Sequence, residues 1–332
     1  MFSKAGIKEA VLRLSGITAY KWARLPDGLY CFNYHRIGDR HQTQFDPNVF
    51  SCTAESFELQ LRFFKQHFQL ISLAELQQLL DNPDKIKGKY ALITFDDGYM
   101  DNHERALPIL QQEGVSAVFF VSADFVGSET IPWWDQIAWW VRHSKASKIY
   151  FGHDSVPIQL RDTASTEQSI RMVLRAVKAD PRELEEKLAE LKIQLKPTHE
   201  LPASSTLFMG WAELKHLLDC GMEVGSHTCG HQILSHLSQV EQLRELQDSK
   251  QHLEAELSAQ VQALAYPVGD DTSFDTVTFD CAAQAGYQLA FSFTNRINHW
   301  PIVNPLNISR IGIDNDMSLQ ALQHKVAWSY RR

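Results

Sequence analysis

Tyr90-Ala91-Leu92-Ile93-Thr94-Phe95-Asp96-Asp97-Gly98-Tyr99 is an apolar run that stops at two acids and a glycine. Branched and aromatic residues in succession read as a buried strand, so Asp96 and Asp97 stand where that strand ends. Two adjacent carboxylates are costly to bury without partners and are expected to face a cleft, where a cation or a hydrogen-bond donor meets them. Successive strand residues point to opposite faces, yet Gly98 admits backbone angles closed to other residues and can turn the chain sharply. Both acids can then reach one site. An Asp-Asp-Gly turn capping the next helix accounts for the hexapeptide equally well.

A second stretch decides between these readings. Met222-Glu223-Val224-Gly225-Ser226-His227-Thr228-Cys229-Gly230-His231 is another short strand, and it ends in His-x-x-x-His. Two imidazoles four residues apart at a strand end have the spacing to bind one divalent ion. With 14 histidines in the chain, accidental pairs are expected. The two strand ends together, however, supply a His-His-Asp facial set that leaves coordination positions open for water and substrate.

At these residues the chain resembles the polysaccharide deacetylases, carbohydrate esterase family four. The resemblance rests on Thr94-Phe95-Asp96-Asp97-Gly98, then Ser226-His227-Thr228-Cys229-Gly230-His231, with a looser third segment, Leu264-Ala265-Tyr266-Pro267-Val268-Gly269. It covers about Leu29 to Ile313 and implies a metal-dependent hydrolase that removes N-acetyl, sometimes O-acetyl, groups from sugar polymers. Leu29-Tyr30-Cys31-Phe32-Asn33-Tyr34-His35-Arg36 is similar to the Tyr-His-Arg segment that opens the domain in the family's permuted subgroup. By that resemblance His35 is the general acid, and a strand-end position suits a barrel site.

The chain has 332 residues, 44% of them hydrophobic, and a net charge of −8. That is enough apolar sequence for a core, and the charge argues against nucleic acid as a partner. Five cysteines, Cys31, Cys52, Cys220, Cys229 and Cys281, are scattered and odd in number, which fits a reducing compartment rather than a disulfide framework. Cys229 lies between the two motif histidines and reads as a bystander. Residues 1–25 hold no continuous apolar stretch, since Lys4, Lys8, Arg13 and Lys21 interrupt it, so the expected location is cytoplasmic. Those bases alternate with Phe2, Ile7, Val11, Leu14, Ile17 and Trp22, which suits a helix packed on the barrel or one touching the inner face of a membrane.

Along the chain, a helix is expected from Thr53 with Phe57, Leu61, Phe64 and Phe68 as its apolar row. Ser72/Glu75 and Ser238/Glu241 read as capping boxes. Gly114, Gly221 and Gly286 read as helix stops. Strands begin near 29, 90, 115, 222, 261, 287 and 308, mostly alternating with helical sequence, which predicts an α/β fold, a distorted parallel (β/α)7 barrel. Residues 1–27 form an N-terminal basic amphipathic segment, and 28–332 form the barrel. An inserted helical and hairpin cap region at about 128–206 is expected beside the barrel mouth. It carries Trp133, Trp134, Trp139 and Trp140, read mainly as packing residues, a hairpin at Tyr150 to Val156, and a helix capped by Asp180.

The mechanism expected is metal-assisted amide hydrolysis. Asp97, His227 and His231 hold one divalent ion, zinc by ligand type, although nickel, cobalt or iron suits the same ligands. Asp96 is the base, and the segment Tyr266, Pro267 and Val268 serves the oxyanion and substrate through the Val268 N–H. Family members often carry an arginine two residues before that proline and a tyrosine after it, where this chain has Ala265 and Val268. Arg310, at the end of the last strand, is the expected replacement for the arginine. The substrate expected is an N-acetylated glycan or a lipid-linked sugar intermediate of cell-envelope or exopolysaccharide synthesis. Hydrolysis of a non-sugar C–N bond, or glycan binding without turnover, are the competing readings.

Overall fold

The apolar runs become seven strands: β1 (Gly28–Tyr34), β2 (Lys89–Phe95), β3 (Val118–Val121), β4 (Glu223–Ser226), β5 (Ala263–Ala265), β6 (Leu289–Ser292) and β7 (Ile308–Gly312). Each pairs in parallel with the next, and β7 returns to pair with β1, whose other edge pairs with β2. The sheet is therefore a closed seven-stranded parallel barrel with surrounding helices, as the sequence predicts. The computed structural model describes residues 16–82, 86–151, 157–160, 166–180, 182–202, 206–314 and 317–329.

Strand alternation divides the core into two layers. Tyr30, Phe32, Tyr34, Ile93, Phe95 and Phe119 pack outward against the helices, where Phe32 stacks on Phe64 with ring centroids 3.8 Å apart. The helix Ala54–His67 buries Phe57, Leu61 and Phe64, and Phe68 continues the row at its C-cap. Each such side chain contributes roughly 1.5–3 kcal/mol of burial. Residues of the other parity, among them Leu29, Cys31, Leu92, Phe120, Ala263, Phe291 and Ile308, form the second cluster. Towards the C-terminal strand ends this parity turns polar, at Asn33, Thr94, Asp96, His227 and Arg310, all buried. That change of chemistry marks the site.

The interior is tight enough to require glycine at Gly225, where an added Cβ would penetrate the Phe120 ring. Gly225→Ala is expected to lower stability by about 1–3 kcal/mol through overpacking, read as an earlier urea midpoint with an unchanged slope.

Local signals position most helices. Ser72/Glu75 and Ser238/Glu241 form the expected capping boxes, and Gly114 ends Leu107–Glu113 at φ 63°. The helical stretch that Gly114 ends opens as a π-helical turn, Asn102–Ala106, and the Asn102 side chain there donates to the His35 carbonyl. Asp180 is not a helix cap: the helix is Leu184–Leu195, with Glu183 before it. Asp180 Oδ1 accepts from the Arg182 N–H at 3.0 Å and Oδ2 from its guanidinium at 2.6 Å. A charge-assisted pair is roughly twice as strong as a neutral bond, which holds this carboxylate away from the helix end.

A second compact unit comprises residues 39–50 and 129–207. It contains the helices Trp133–Arg142, Thr166–Ala179 and Leu184–Leu195 and a short antiparallel ladder of Lys148–Ile149 with Ile158–Gln159. The hairpin expected at Tyr150 to Val156 is thus paired further out, and residues 152–156 lie outside the described residues. Trp133, Trp134, Trp139 and Trp140 are at most 8% exposed, in keeping with packing. Of the N-terminal segment, Phe2 to Leu14 lie outside the described residues. Ile17–Trp22 is helical and packs inward, with Trp22 against Phe63 and His67 and the Thr18 hydroxyl 2.9 Å from His324 Nδ1. Among the described residues no helix is long and apolar enough to cross a membrane.

Candidate metal and catalytic site

The turn after β2 brings both acids to one place. Asp97 has φ 72° and Gly98 φ 79°, left-handed values that aspartate tolerates better than most residues and glycine tolerates best. His35 and His227 act electrostatically on both carboxylates. The loop after β4 is equally constrained, with Thr228 at φ 67° and His231 at φ 54°. Glu245 holds it by accepting the N–H groups of Cys229 and Gly230 at 3.0 and 3.1 Å. From the β3 side, the Ala123 and Asp124 N–H groups donate to the Thr228 and Cys229 carbonyls. Positive φ at several non-glycine residues stores strain of about 1–3 kcal/mol each, which this hydrogen bonding offsets.

Asp97 Oδ1 stands 3.6 Å from His227 Nε2 and 3.4 Å from His231 Nε2. The three donor atoms lie within 4.8 Å of one another. His227 Nδ1 donates to the Ala265 carbonyl at 2.7 Å, which fixes the tautomer and turns the Nε2 lone pair inward, the usual orientation of a metal-ligating histidine. Burial pushes this imidazole down to about 4, so it is neutral near pH 7. Burial works against the charge of Asp97, but the neighbouring imidazoles, His231 foremost, outweigh it and hold the carboxyl well below the usual range. Asp97 Oδ1 is nevertheless buried with no hydrogen-bond partner among the described residues. An orphaned anionic oxygen facing two imidazole nitrogens fits a divalent cation. The Cys229 thiol turns to the Glu245 carbonyl at 3.6 Å and burial pushes it up to about 12, so it is outside the donor group.

Asp96 belongs to a different network. Its Oδ1 accepts from Arg310 Nη1 at 2.6 Å and its Oδ2 from Asn33 Nδ2 at 2.9 Å. Asn33 Oδ1 in turn accepts from the same Arg310 nitrogen at 2.9 Å and from the Thr94 hydroxyl at 2.8 Å. Arg310 is 1% exposed. Burial alone would raise the Asp96 carboxyl, but Arg310, followed by His227 and His35, reverses that and holds it below its ordinary value. His35 Nε2 lies 3.9 Å from Asp96 Oδ2 on the more open side, its side chain 28% exposed. Its backbone is tied at both ends, N–H to Ser51 Oγ and carbonyl to Asn102.

The third segment divides. The Tyr266 side chain turns away from the site. The ring is buried against Phe274 and the hydroxyl donates to the Leu306 carbonyl at 2.8 Å, because this residue has the outward strand parity. Pro267 is buried. Val268 takes φ 64° and its N–H has no hydrogen-bond partner among the described residues, so that donor is available.

Sequence reasoning missed Asn33, Glu245, Asp101 and Asn102. Asn33 left a signal: it is the one amide in the otherwise apolar run Leu29 to Tyr34, and an amide inside a buried strand requires partners. Asp101 accepts Arg36 Nε at 2.7 Å and the Ile37 N–H at 2.8 Å, so it and Asn102 set the position of His35. Glu245 is one acid among many on a charged helix and carries no such signal.

Residues 84–290, more than half of the chain, match the family described as polysaccharide deacetylase. YxkH of Bacillus subtilis (strain 168), a protein named for the same family, is 30% identical over 112 residues, which is 33% of this chain and 36% of that protein. The match thus spans about a third of that curated relative. Among solved structures, the Streptococcus pyogenes deacetylase PplD in complex with acetate aligns over 91% of this chain and 99% of its own, at 18% identity and TM-score 0.59. IcaB from Ammonifex degensii aligns over 92% and 97%, at 17% identity and TM-score 0.56. A de-N-acetylase from Aggregatibacter actinomycetemcomitans aligns over 90% and 100%, at 14% identity and TM-score 0.57. At such identities the structures speak for a shared fold, and the extent of the sequence match speaks for common descent. The chain belongs to the polysaccharide deacetylase family.

Proposed function

We infer that the protein is a metal-dependent carbohydrate N-deacetylase that hydrolyses the acetamide of N-acetylhexosamine units. The observation that carries this is the separation of roles between neighbouring acids. Asp97 faces two imidazoles with an unsatisfied oxygen, whereas Asp96 is held by Arg310 and Asn33. Asp97, His227 and His231 would hold the ion, and zinc suits their donor set. Bound there, it would polarise the acetamide carbonyl and acidify water. Asp96, kept ionised and oriented, takes the proton of the attacking water. The Val268 N–H supports the developing oxyanion. His35 delivers a proton to the departing amine, and the products are acetate and a glucosamine-like amine. An N-acetylated glycan or a lipid-linked sugar intermediate of envelope or exopolysaccharide synthesis is the substrate class that this chemistry accepts. The names of the neighbouring deacetylases support an acetylated glycan as substrate.

The test is acetate release from N-acetylated oligosaccharides by protein stripped with a chelator and then resupplied with zinc. Release that disappears on stripping and returns with zinc is expected. Metal uptake with no acetate from any glycan would redirect the site to a non-sugar C–N bond, and no uptake would reduce both motifs to turn chemistry.

Arg310 separates positioning from simple packing. In Arg310→Ala the guanidinium that holds the Asp96 carboxyl down is gone, and burial then raises it. The base must be ionised, so activity should be lost at a higher pH as the solution is acidified. The acidic limb of the kcat/KM profile is expected to move upward and to move back in Arg310→Lys. An unshifted limb in Arg310→Ala would remove Arg310 from the mechanism.

A further inference from the structure

On the surface, three side chains of metal-ligating type lie in contact one after another. His216 lies in the last turn of the helix Trp211–Asp219, and Cys220 is the C-cap of the same helix. The i, i+4 spacing sets the two side chains one above the other on one face, and Cys220 Sγ is 3.4 Å from His216 Nε2. The other nitrogen, His216 Nδ1, is 2.8 Å from Nε2 of His103 in the π-helical turn, with ring centroids 5.0 Å apart. His216 is exposed, and Cys220 and His103 are half-buried.

In one arrangement of protons the thiol donates to His216 Nε2. His216 then carries its proton on Nδ1 and donates to His103 Nε2. A metal-binding histidine needs this state: one nitrogen donates to an outer partner that fixes the tautomer, and the other offers its lone pair. The spacing agrees too. Bonds of about 2.3 Å to sulfur and about 2.0 Å to nitrogen at a tetrahedral angle put the two donor atoms roughly 3.5 Å apart, against 3.4 Å here.

We propose that His216 and Cys220 form a second cation site, a surface chelate for a thiophilic divalent ion such as zinc or cobalt, with His103 orienting the ring. The ion takes the place of the thiol proton: the S–H bond breaks, the proton passes to solvent, and the sulfur and His216 Nε2 bind the ion. Water completes the coordination. No oxidant or reductant is involved, and the site is independent of the deacetylase reading.

Cobalt(II) titration of the chelator-stripped full-length chain tests it. The Asp97, His227 and His231 group contains no sulfur, so a thiolate-to-cobalt charge-transfer band in the near ultraviolet reports only a cysteine-ligated ion. Wild type is expected to show the band, with one cobalt ion per chain beyond whatever the Asp97, His227 and His231 group takes up. Cys220→Ser should take up one ion fewer and lose the band, with acetate release unchanged. Cys229→Ser should keep the band. His103→Ala should weaken the band-forming affinity by about 10- to 100-fold, the usual effect of losing an outer partner. Circular dichroism of each variant checks that it is folded. One cobalt without a thiolate band in wild type, or a band that survives in Cys220→Ser, would overturn the proposal.

Discussion

Asp96→Asn is expected to bind as much metal as the wild type and to release acetate about 10²- to 10⁴-fold more slowly, the range for loss of a general base. Metal is retained because Asp96 is outside the donor group of Asp97, His227 and His231. The variant has a second consequence that a mere surface acid would not show. Arg310 is 1% exposed and pairs with Asp96 at 2.6 Å, so the amide leaves a buried guanidinium without its counter-charge. Breaking a buried pair from one side costs about 3–5 kcal/mol, and Asn33, already shared, offsets little of it. Adding Arg310→Met to Asp96→Asn removes the stranded charge and should recover much of the stability with none of the rate. Metal content, acetate release and urea midpoints of the wild type and the two variants decide the matter. Full activity in Asp96→Asn, or equal stabilities throughout, would refute the assignment.

His227→Ala has the other large effect. The imidazole is almost wholly buried, and its Nδ1 is committed to the Ala265 carbonyl. Removing it deletes one of the three proposed ligands and leaves a polar hole behind. In a Cys220→Ser background, which removes the proposed surface site, metal content is expected to fall from about one per chain to near none after dialysis, and acetate release to fall with it. The thermal response separates this from unfolding. The Cys220→Ser parent gains stability on adding zinc, about 4 kcal/mol at a thousandfold excess over the dissociation constant. The variant should remain folded with a melting temperature that zinc no longer raises. A zinc-dependent rise in His227→Ala on that parent, or undiminished acetate release, would exclude His227 as a ligand.

Much of the fold was legible because its signals are local. A buried strand, a Ser-x-x-Glu box or a helix-ending glycine each depends on residues within about four positions. The expected strand starts and caps therefore fall within a few residues of those observed. Asp180 shows where such signals fail. Its place before Pro181 suits a cap, but Arg182 two residues on offers a stronger partner, and no rule of spacing ranks the two. The ladder at 148–149 and 158–159 was misplaced for a related reason. Aromatic residues at Tyr150 and Phe151 mark a strand-like run, and short ladders are set by pairing with a distant segment.

The sequence by itself determined the family motifs, the barrel's strand count and the two acids and two histidines worth watching, because each is a pattern of neighbours. The resemblance assigns Asp97 to the ion and Asp96 to the base; the tertiary structure supplies the cause, turning the first toward the imidazoles and the second toward the guanidinium through the backbone angles at Asp97 and Gly98. It also decided that Asn33 and Arg310, 277 positions apart, share one hydrogen bond. Closure of β7 onto β1 creates that contact, and closure is a property of the whole sheet that no window of sequence contains.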